Sequence, residues 1–107
     1  MFGFSGGFGV DVNEAYGSLG REGHVLLDVR SAGEVREQGI EGAVNVPLDR
    51  LEQAIEKLAG YKTIHVICRS GARSGMATQI LQSHGITQAK NVSGGTLAWE
   101  RAGLPTV

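Results

Sequence analysis

Short apolar runs take turns with capped helical stretches along this chain, and only a few residues connect one to the next. His24-Val25-Leu26-Leu27-Asp28-Val29 is an apolar run of the kind buried in a parallel sheet. Ser31 and Glu34 follow at capping-box spacing, and Gly39 stops a helix of one to two turns. Ala43-Val44-Asn45-Val46 forms a second brief strand, closed by Pro47. Asp49 and Glu52 repeat the capping-box spacing, and Leu48, Leu51, Ile55 and Leu58 mark one face of a helix ended by Gly60. Thr63 to Ile67 is a β-branched strand carrying His65 in its middle. It runs straight into Cys68-Arg69-Ser70-Gly71-Ala72-Arg73-Ser74. Beyond that loop Met76, Ala77, Ile80, Leu81 and His84 share a helical face up to Gly85. Lys90-Asn91-Val92 is a last strand, and Gly94-Gly95 lead into a helix through Leu97, Trp99 and Ala102 that Gly103 and Pro105 stop. Near the N-terminus Val10 to Val12 reads as a small strand and Asn13 as the cap of a helix through Tyr16 and Leu19, which Gly17 weakens. This alternation specifies an α/β fold: a largely parallel five-stranded sheet with helices on both faces.

At 107 residues the chain has room for one modest core. Residues 10–107 read as a single domain, and 1–9 as a flexible lead-in. That lead-in is apolar but has neither a basic start nor an unbroken hydrophobic stretch, so it does not read as a signal peptide. A net charge of −1 gives no reason to expect nucleic acid or an anionic membrane as a partner, and no run is long enough to span a bilayer. The 17 glycines fall mostly at segment ends, as many short connections require. A single cysteine excludes an internal disulfide and any Cys-x-x-Cys metal or redox motif. A reducing cytoplasm is the compartment that suits an unpaired thiol.

The cysteine loop carries the chemistry. In open α/β sheets ligands bind beyond the carboxyl ends of the strands, which is where Cys68 lies. A thiol at a strand-to-helix turn faces the unpaired N–H groups and positive dipole end of the next helix. Arg69 and Arg73 add charge that never titrates off. Both influences favour the thiolate, which should bring the pKa from about 8.5 into the roughly 3.5–7.5 range of reactive cysteines. The same N–H groups make an anion cradle. The sequence thus points to a nucleophilic sulfur acting on a small anion.

Three stretches resemble the rhodanese-homology domain, the module of sulfurtransferases. Leu27-Asp28-Val29-Arg30 with Glu34, and then Gly42-Ala43-Val44-Asn45-Val46-Pro47-Leu48, resemble its amino-terminal signature. Cys68 to Ser74 is similar to its active-site loop, and Asn91-Val92-Ser93-Gly94-Gly95 with Ala98-Trp99 resembles its carboxy-terminal signature. The likeness spans residues 10 to 105. The family usually writes Gly-His-Ile-x-Gly-Ala before the second strand, where this chain has Gln38-Gly39-Ile40-Glu41-Gly42-Ala43. The missing histidine puts a local hydrogen bond in question.

The resemblance implies a rhodanese-like fold and a two-step transfer without metal or organic cofactor. Cys68 attacks the outer sulfur of a donor such as thiosulfate and becomes a persulfide. A thiol, or cyanide in the test tube, then removes that sulfur. Gly71 lets the loop coil around the sulfur. Arg69 and Arg73 can hold the donor's anionic end, and Ser70 or Ser74 can cap the helix or donate to the same anion. Ala72 completes the loop as part of the substrate-binding set. With no second cysteine, turnover depends on an external acceptor.

Plainer roles stand beside these. A cysteine after an apolar strand is ordinarily an inert small hydrophobe, and the flanking arginines with the whole loop are what favour function here. Arg69 reads equally as a solvated charge, and Ser74 equally as a structural cap. Asp28 and Arg30 read as a structural pair near Glu34, His65 as a residue satisfied within the sheet, and His84 as a partner of its helix's C-terminal dipole. His24 reads as a surface residue and Trp99 as a core anchor. Two rivals come from other classes. A cysteine phosphatase or arsenate reductase would have a seven-residue loop, wide enough for a tetrahedral oxyanion, where this chain has six residues from Cys68 to Arg73. A non-catalytic module would ordinarily have lost the cysteine. A sulfur carrier serving a partner enzyme differs only in its acceptor.

Overall fold

The computed structural model describes residues 9–107. All but the last residue of the expected lead-in therefore lies outside the described residues. The elements run α1 (Val12–Ser18), β1 (His24–Asp28), α2 (Ala32–Glu37), β2 (Val44–Asn45), α3 (Ile55–Leu58), β3 (Thr63–Ile67), α4 (Ala72–Ser83), β4 (Ala89–Asn91) and α5 (Gly95–Arg101), with a 3₁₀ segment over Leu48–Ala54 before α3.

The strands form one sheet in the order β2-β1-β3-β4, and every pairing is parallel. β1 and β3 form the centre, with His24 opposite Thr63 and Asp28 opposite Ile67. Both are buried along nearly their whole length, which is why they read as unbroken apolar runs. Alternate residues serve two cores. Val25, Leu27, Val29, Ile64 and Val66 pack with Leu51, Leu58, Ala77 and Leu81 from the 3₁₀ segment, α3 and α4. Leu26, Ile67 and Val92 pack on the other face with Val12, Ala15 and Trp99 from α1 and α5. Trp99 is fully buried and satisfies its ring N–H on the Pro105 carbonyl at 2.9 Å. Tyr16 meets it edge-on with centroids 5.7 Å apart.

The sheet has four strands where the sequence suggested five. The segment expected as a strand over Val10–Val12 makes one parallel bridge, Val10 to Val92, and no ladder. Asp11 is the reason: its carboxylate accepts the Glu14 N–H at 2.9 Å and starts α1 at Val12, so Asn13 lies inside the helix and does not cap it. The capping box at Ser31 and Glu34 forms as the spacing predicts. The one at Asp49 and Glu52 does not, because Pro47 occupies the cap position, the Leu48 N–H is bound back to Val29 and the Arg50 N–H closes a tight 3₁₀ turn on Pro47.

α4 buries Ser74, Ala77, Thr78 and Leu81, so the face expected through Met76 and His84 is rotated outward. Met76 is 55% exposed. Thr78 is tolerated inside because its hydroxyl donates to the Ser74 carbonyl at 2.7 Å. His84 closes α4 with Nδ1 2.9 Å from the Ile80 carbonyl. His24, expected at the surface, is partly covered, and its Nδ1 is buried with no partner. His65 is buried in β3, and burial pushes its pKa down.

Candidate active site

The chain leaves β1 toward β2 on one side and leaves β3 toward β4 on the other. The loops after β1 and β3 therefore part, and the crevice between them is the switch point at which α/β sheets bind ligands. Cys68 follows β3 directly and stands on this crevice, and the residue is 1% exposed.

The loop turns its N–H groups inward. The Cys68 Sγ accepts the Gly71 N–H at 3.1 Å, the Ser74 N–H at 3.3 Å and the Ser74 hydroxyl at 3.3 Å. Gly71 allows this by taking φ 107°, a conformation that any side chain would strain. It also occupies the N-cap of α4, so neither Ser70 nor Ser74 caps the helix. The loop's carbonyls point away and are held from behind. Thr96 N–H donates to the Cys68 carbonyl at 2.8 Å, and Leu97 N–H to the Arg69 carbonyl at 3.1 Å. This grip depends on Gly95, because a Cβ there would collide with both of those carbonyl oxygens.

Burial pushes the Cys68 thiol up, and hydrogen bonds from the Ser74 hydroxyl and from the Ser74, Gly71 and Ser70 N–H groups push it down further, so the balance lies below an ordinary thiol. These donors are what favour the thiolate over the thiol. Arg73 contributes less directly than the sequence suggested, because Glu34 claims its guanidinium. The pair is bidentate, Nη1 to Oε1 at 2.8 Å and Nη2 to Oε2 at 2.9 Å, and it holds the Glu34 carboxyl down to about 2.

α2 is placed to make this contact by a buried pair. Asp28 is wholly buried and accepts the Arg30 backbone N–H and two guanidinium nitrogens at 2.8–3.2 Å. Arg30 also donates to the Gln38 carbonyl at 2.9 Å, tying the end of β1 to the end of α2. Arg69 is exposed and makes no ion pair among the described residues. It lines a polar cleft of about 130 Å³ between α2 and α5, with Glu34, Glu37, Thr96 and Glu100. Ser70 and Ala72 are exposed on the loop's outer side.

The family model of the rhodanese-like domain matches residues 11–102. The chain belongs to the rhodanese-like domain family. A crystal structure of a rhodanese-related protein from Thermoplasma volcanium superposes with a TM-score of 0.81 at 28% identity, covering 92% of this chain and 96% of that one. A protein of Allochromatium vinosum named sulfurtransferase is 33% identical over 83 residues, 78% of each chain. An uncharacterised protein of Synechocystis is 42% identical over 83 residues, and there this rhodanese-like domain spans 46% of the relative's length. Sulfur handling, as sulfurtransferase or sulfur carrier, is the functional class these similarities support.

The residue that departs from the family's usual signature has a structural counterpart in this rhodanese-like domain. Gly39 exchanges two backbone hydrogen bonds with Val107, at 3.3 and 2.7 Å. A Cβ at position 39 would come within 2.9 Å of the Val35 carbonyl oxygen. Two participants escaped sequence reasoning. Glu34 was visible as a cap and not as the partner of Arg73. Asn91 was visible only as part of a signature, although its side chain lies 2.6 Å from the Ser74 hydroxyl.

Proposed function

We propose that the protein is a sulfurtransferase that works through a persulfide on Cys68. The observation that carries this reading is the ring of donors around one buried sulfur: Gly71 N–H, Ser74 N–H and the Ser74 hydroxyl. With thiosulfate as donor, the Cys68 thiolate attacks the sulfane sulfur, a new S–S bond forms, and sulfite departs with the electron pair of the bond that breaks. The negative charge passes to the outer sulfur, where preorganised N–H groups stabilise it without a metal. An acceptor thiolate then attacks that outer sulfur and expels Cys68 as thiolate.

In this reading Cys68 is the catalytic residue, and the N–H groups of Ser70, Gly71 and Ser74 form the cradle. Ala72 continues the helical turn that presents them. Arg69, exposed beside the crevice, receives the donor's anionic end, and Arg73 supports the charge while staying bound to Glu34. The acceptor is external because the chain has no second cysteine. A small thiol and the thiol of a partner protein both satisfy that requirement, and a reducing compartment such as the cytoplasm suits the unpaired thiol.

The test is intact mass after incubating the reduced protein with thiosulfate, with Cys68→Ser alongside. A gain of one sulfur, reversed by cyanide and absent in the variant, supports the reading. No gain with thiosulfate or with a small-molecule persulfide donor refutes it.

A further inference from the structure

The Ser74 hydroxyl has one proton and two acceptors. Cys68 Sγ lies 3.3 Å away and Asn91 Oδ1 lies 2.6 Å away. A hydroxyl can donate to only one of them at a time. The Asn91 amide is held with its oxygen toward Ser74, because its Nδ2 donates to the Gly71 carbonyl at 3.3 Å. Turning the amide over would set its oxygen against that carbonyl. Gly71 and Gly75 flank this group, and a Cβ at either would stand at ordinary contact distance from Nδ2, 3.9 and 3.5 Å. Asn91 ends β4, on the far side of the loop from the crevice with α2. It reaches the sulfur by two routes, through the Ser74 hydroxyl and through Gly71, whose carbonyl it binds and whose N–H donates to the sulfur.

We propose that Asn91 is a positioning residue whose amide oxygen holds the Ser74 hydroxyl while the Cys68 sulfur is uncharged and releases it when that sulfur becomes an anion. The proposal rests on the persulfide reading for its place in a cycle. When the free cysteine is a thiolate the hydroxyl donates to sulfur. Once the persulfide forms, the inner sulfur is neutral, the charge sits on the outer sulfur, and the hydroxyl returns to Asn91. When the acceptor removes the outer sulfur, Cys68 leaves as an anion and regains the hydroxyl. Asn91 thereby lessens the penalty of giving up the thiolate's hydrogen bond, which brings the free and sulfur-loaded states closer in free energy. The charged groups around the site are Arg73 with Glu34 toward α2, Arg69 beside α5, and the Asp28–Arg30 pair at the end of β1. None is altered in the test.

The thiolate is titrated directly by its absorbance near 240 nm and by its rate of alkylation, neither of which requires sulfur transfer. Asn91→Leu removes the competing acceptor, and the Cys68 pKa should fall by up to about one pH unit. Asn91→Asp strengthens that acceptor and adds charge, so the pKa should rise. It keeps the size of the side chain, gives up the donor to the Gly71 carbonyl as Asn91→Leu does, and serves with its Ser74→Ala counterpart if Asn91→Leu does not fold. In a Ser74→Ala background the effect of Asn91→Leu should shrink to what the lost Gly71 contact alone produces, and the rise with Asn91→Asp to what that loss and the added charge produce. The proposal is overturned by an unchanged or raised pKa in Asn91→Leu, or by equal shifts for either variant with and without Ser74. Persulfide formation from thiosulfate is scored separately by mass. A wild type that never gains sulfur sinks the sulfurtransferase reading and leaves the hydroxyl switch standing on its titration.

Discussion

Glu34→Gln separates two roles that one side chain combines. Glutamine keeps a side-chain oxygen for the Ser31 N–H, so the cap of α2 survives, while the charge facing Arg73 is gone. The Glu34 carboxyl is held down to about 2 from an ordinary 4.5, first by the hydrogen bond from Arg73 and then by Ser31, against the opposing pull of burial. For a fully sheltered group a shift of that size would correspond to about 3 kcal/mol. Here the two side chains keep 34% and 37% of their surface in solvent, and water screens the pair. Exposed pairs contribute about 1 kcal/mol or less. A loss of about 0.5–1 kcal/mol is therefore expected near pH 7, which lowers the melting temperature by about 2–8 °C for a domain of this size. The folded-state pKa is depressed, so the contribution is complete above the unfolded value of 4.5 and is lost as pH falls through about 2. Circular-dichroism melts of both proteins at about pH 7, 5, 4 and 3 should show a gap that holds to pH 5 and shrinks to less than half by pH 3. A gap that is missing at pH 7, or that keeps its size at pH 3, refutes this account of the pair.

Two further perturbations address the cradle and the buried imidazole. Gly95→Ala should push α5 off the Cys68 and Arg69 carbonyls, costing about 1–3 kcal/mol and moving the alkylation profile of Cys68 to higher pH. Urea melts and iodoacetamide rates read both effects, and a variant as stable and as reactive as the parent would show that α5 does not hold the loop. His65 is pushed below its ordinary 6.5, first by burial and also by His24, with Glu14 opposing. The folded state thus binds a proton less readily than the unfolded chain, and wild-type stability should fall as pH drops below 6.5. In His65→Gln that decline should flatten between about pH 7 and 5 in parallel urea titrations. Equal slopes would show that His65 titrates as it does in the unfolded chain.

Much of the scaffold was legible because parallel strands buried on both faces leave a simple mark. Thr63–Ile67 is placed residue for residue by its β-branched run, and Ser31 with Glu34 cap α2 as their spacing requires. The errors share a cause, which is tertiary contact overriding local pattern. Asp49 and Glu52 have the spacing of a capping box, but Leu48 is tied to Val29 across the molecule. Met76 fits an apolar periodicity, but α4 is set by the contact of its first turn with Cys68, so Ser74 and Thr78 take buried places. Within the site, the cysteine and its donors could be anticipated from a strand, a glycine and a helix start. The pairing of Arg73 with Glu34 and of Ser74 with Asn91 could not, since each joins residues that only the sheet order brings together.

The way α5 holds the loop from behind also limits what the site can become. A wider loop, able to surround a tetrahedral oxyanion, needs an inserted residue between Cys68 and Arg73. That insertion would displace the Cys68 or Arg69 carbonyl from the Thr96 and Leu97 N–H groups, or break the first turn of α4. A Cys68 carbonyl left without its donor would cost about 1–3 kcal/mol, since Cys68 is buried. Widening this loop to surround a tetrahedral oxyanion is therefore not a one-step change. The start of α5 has to be rebuilt in the same lineage, and intermediates that alter only one of the two elements would be selected against for stability before any new activity could be tried.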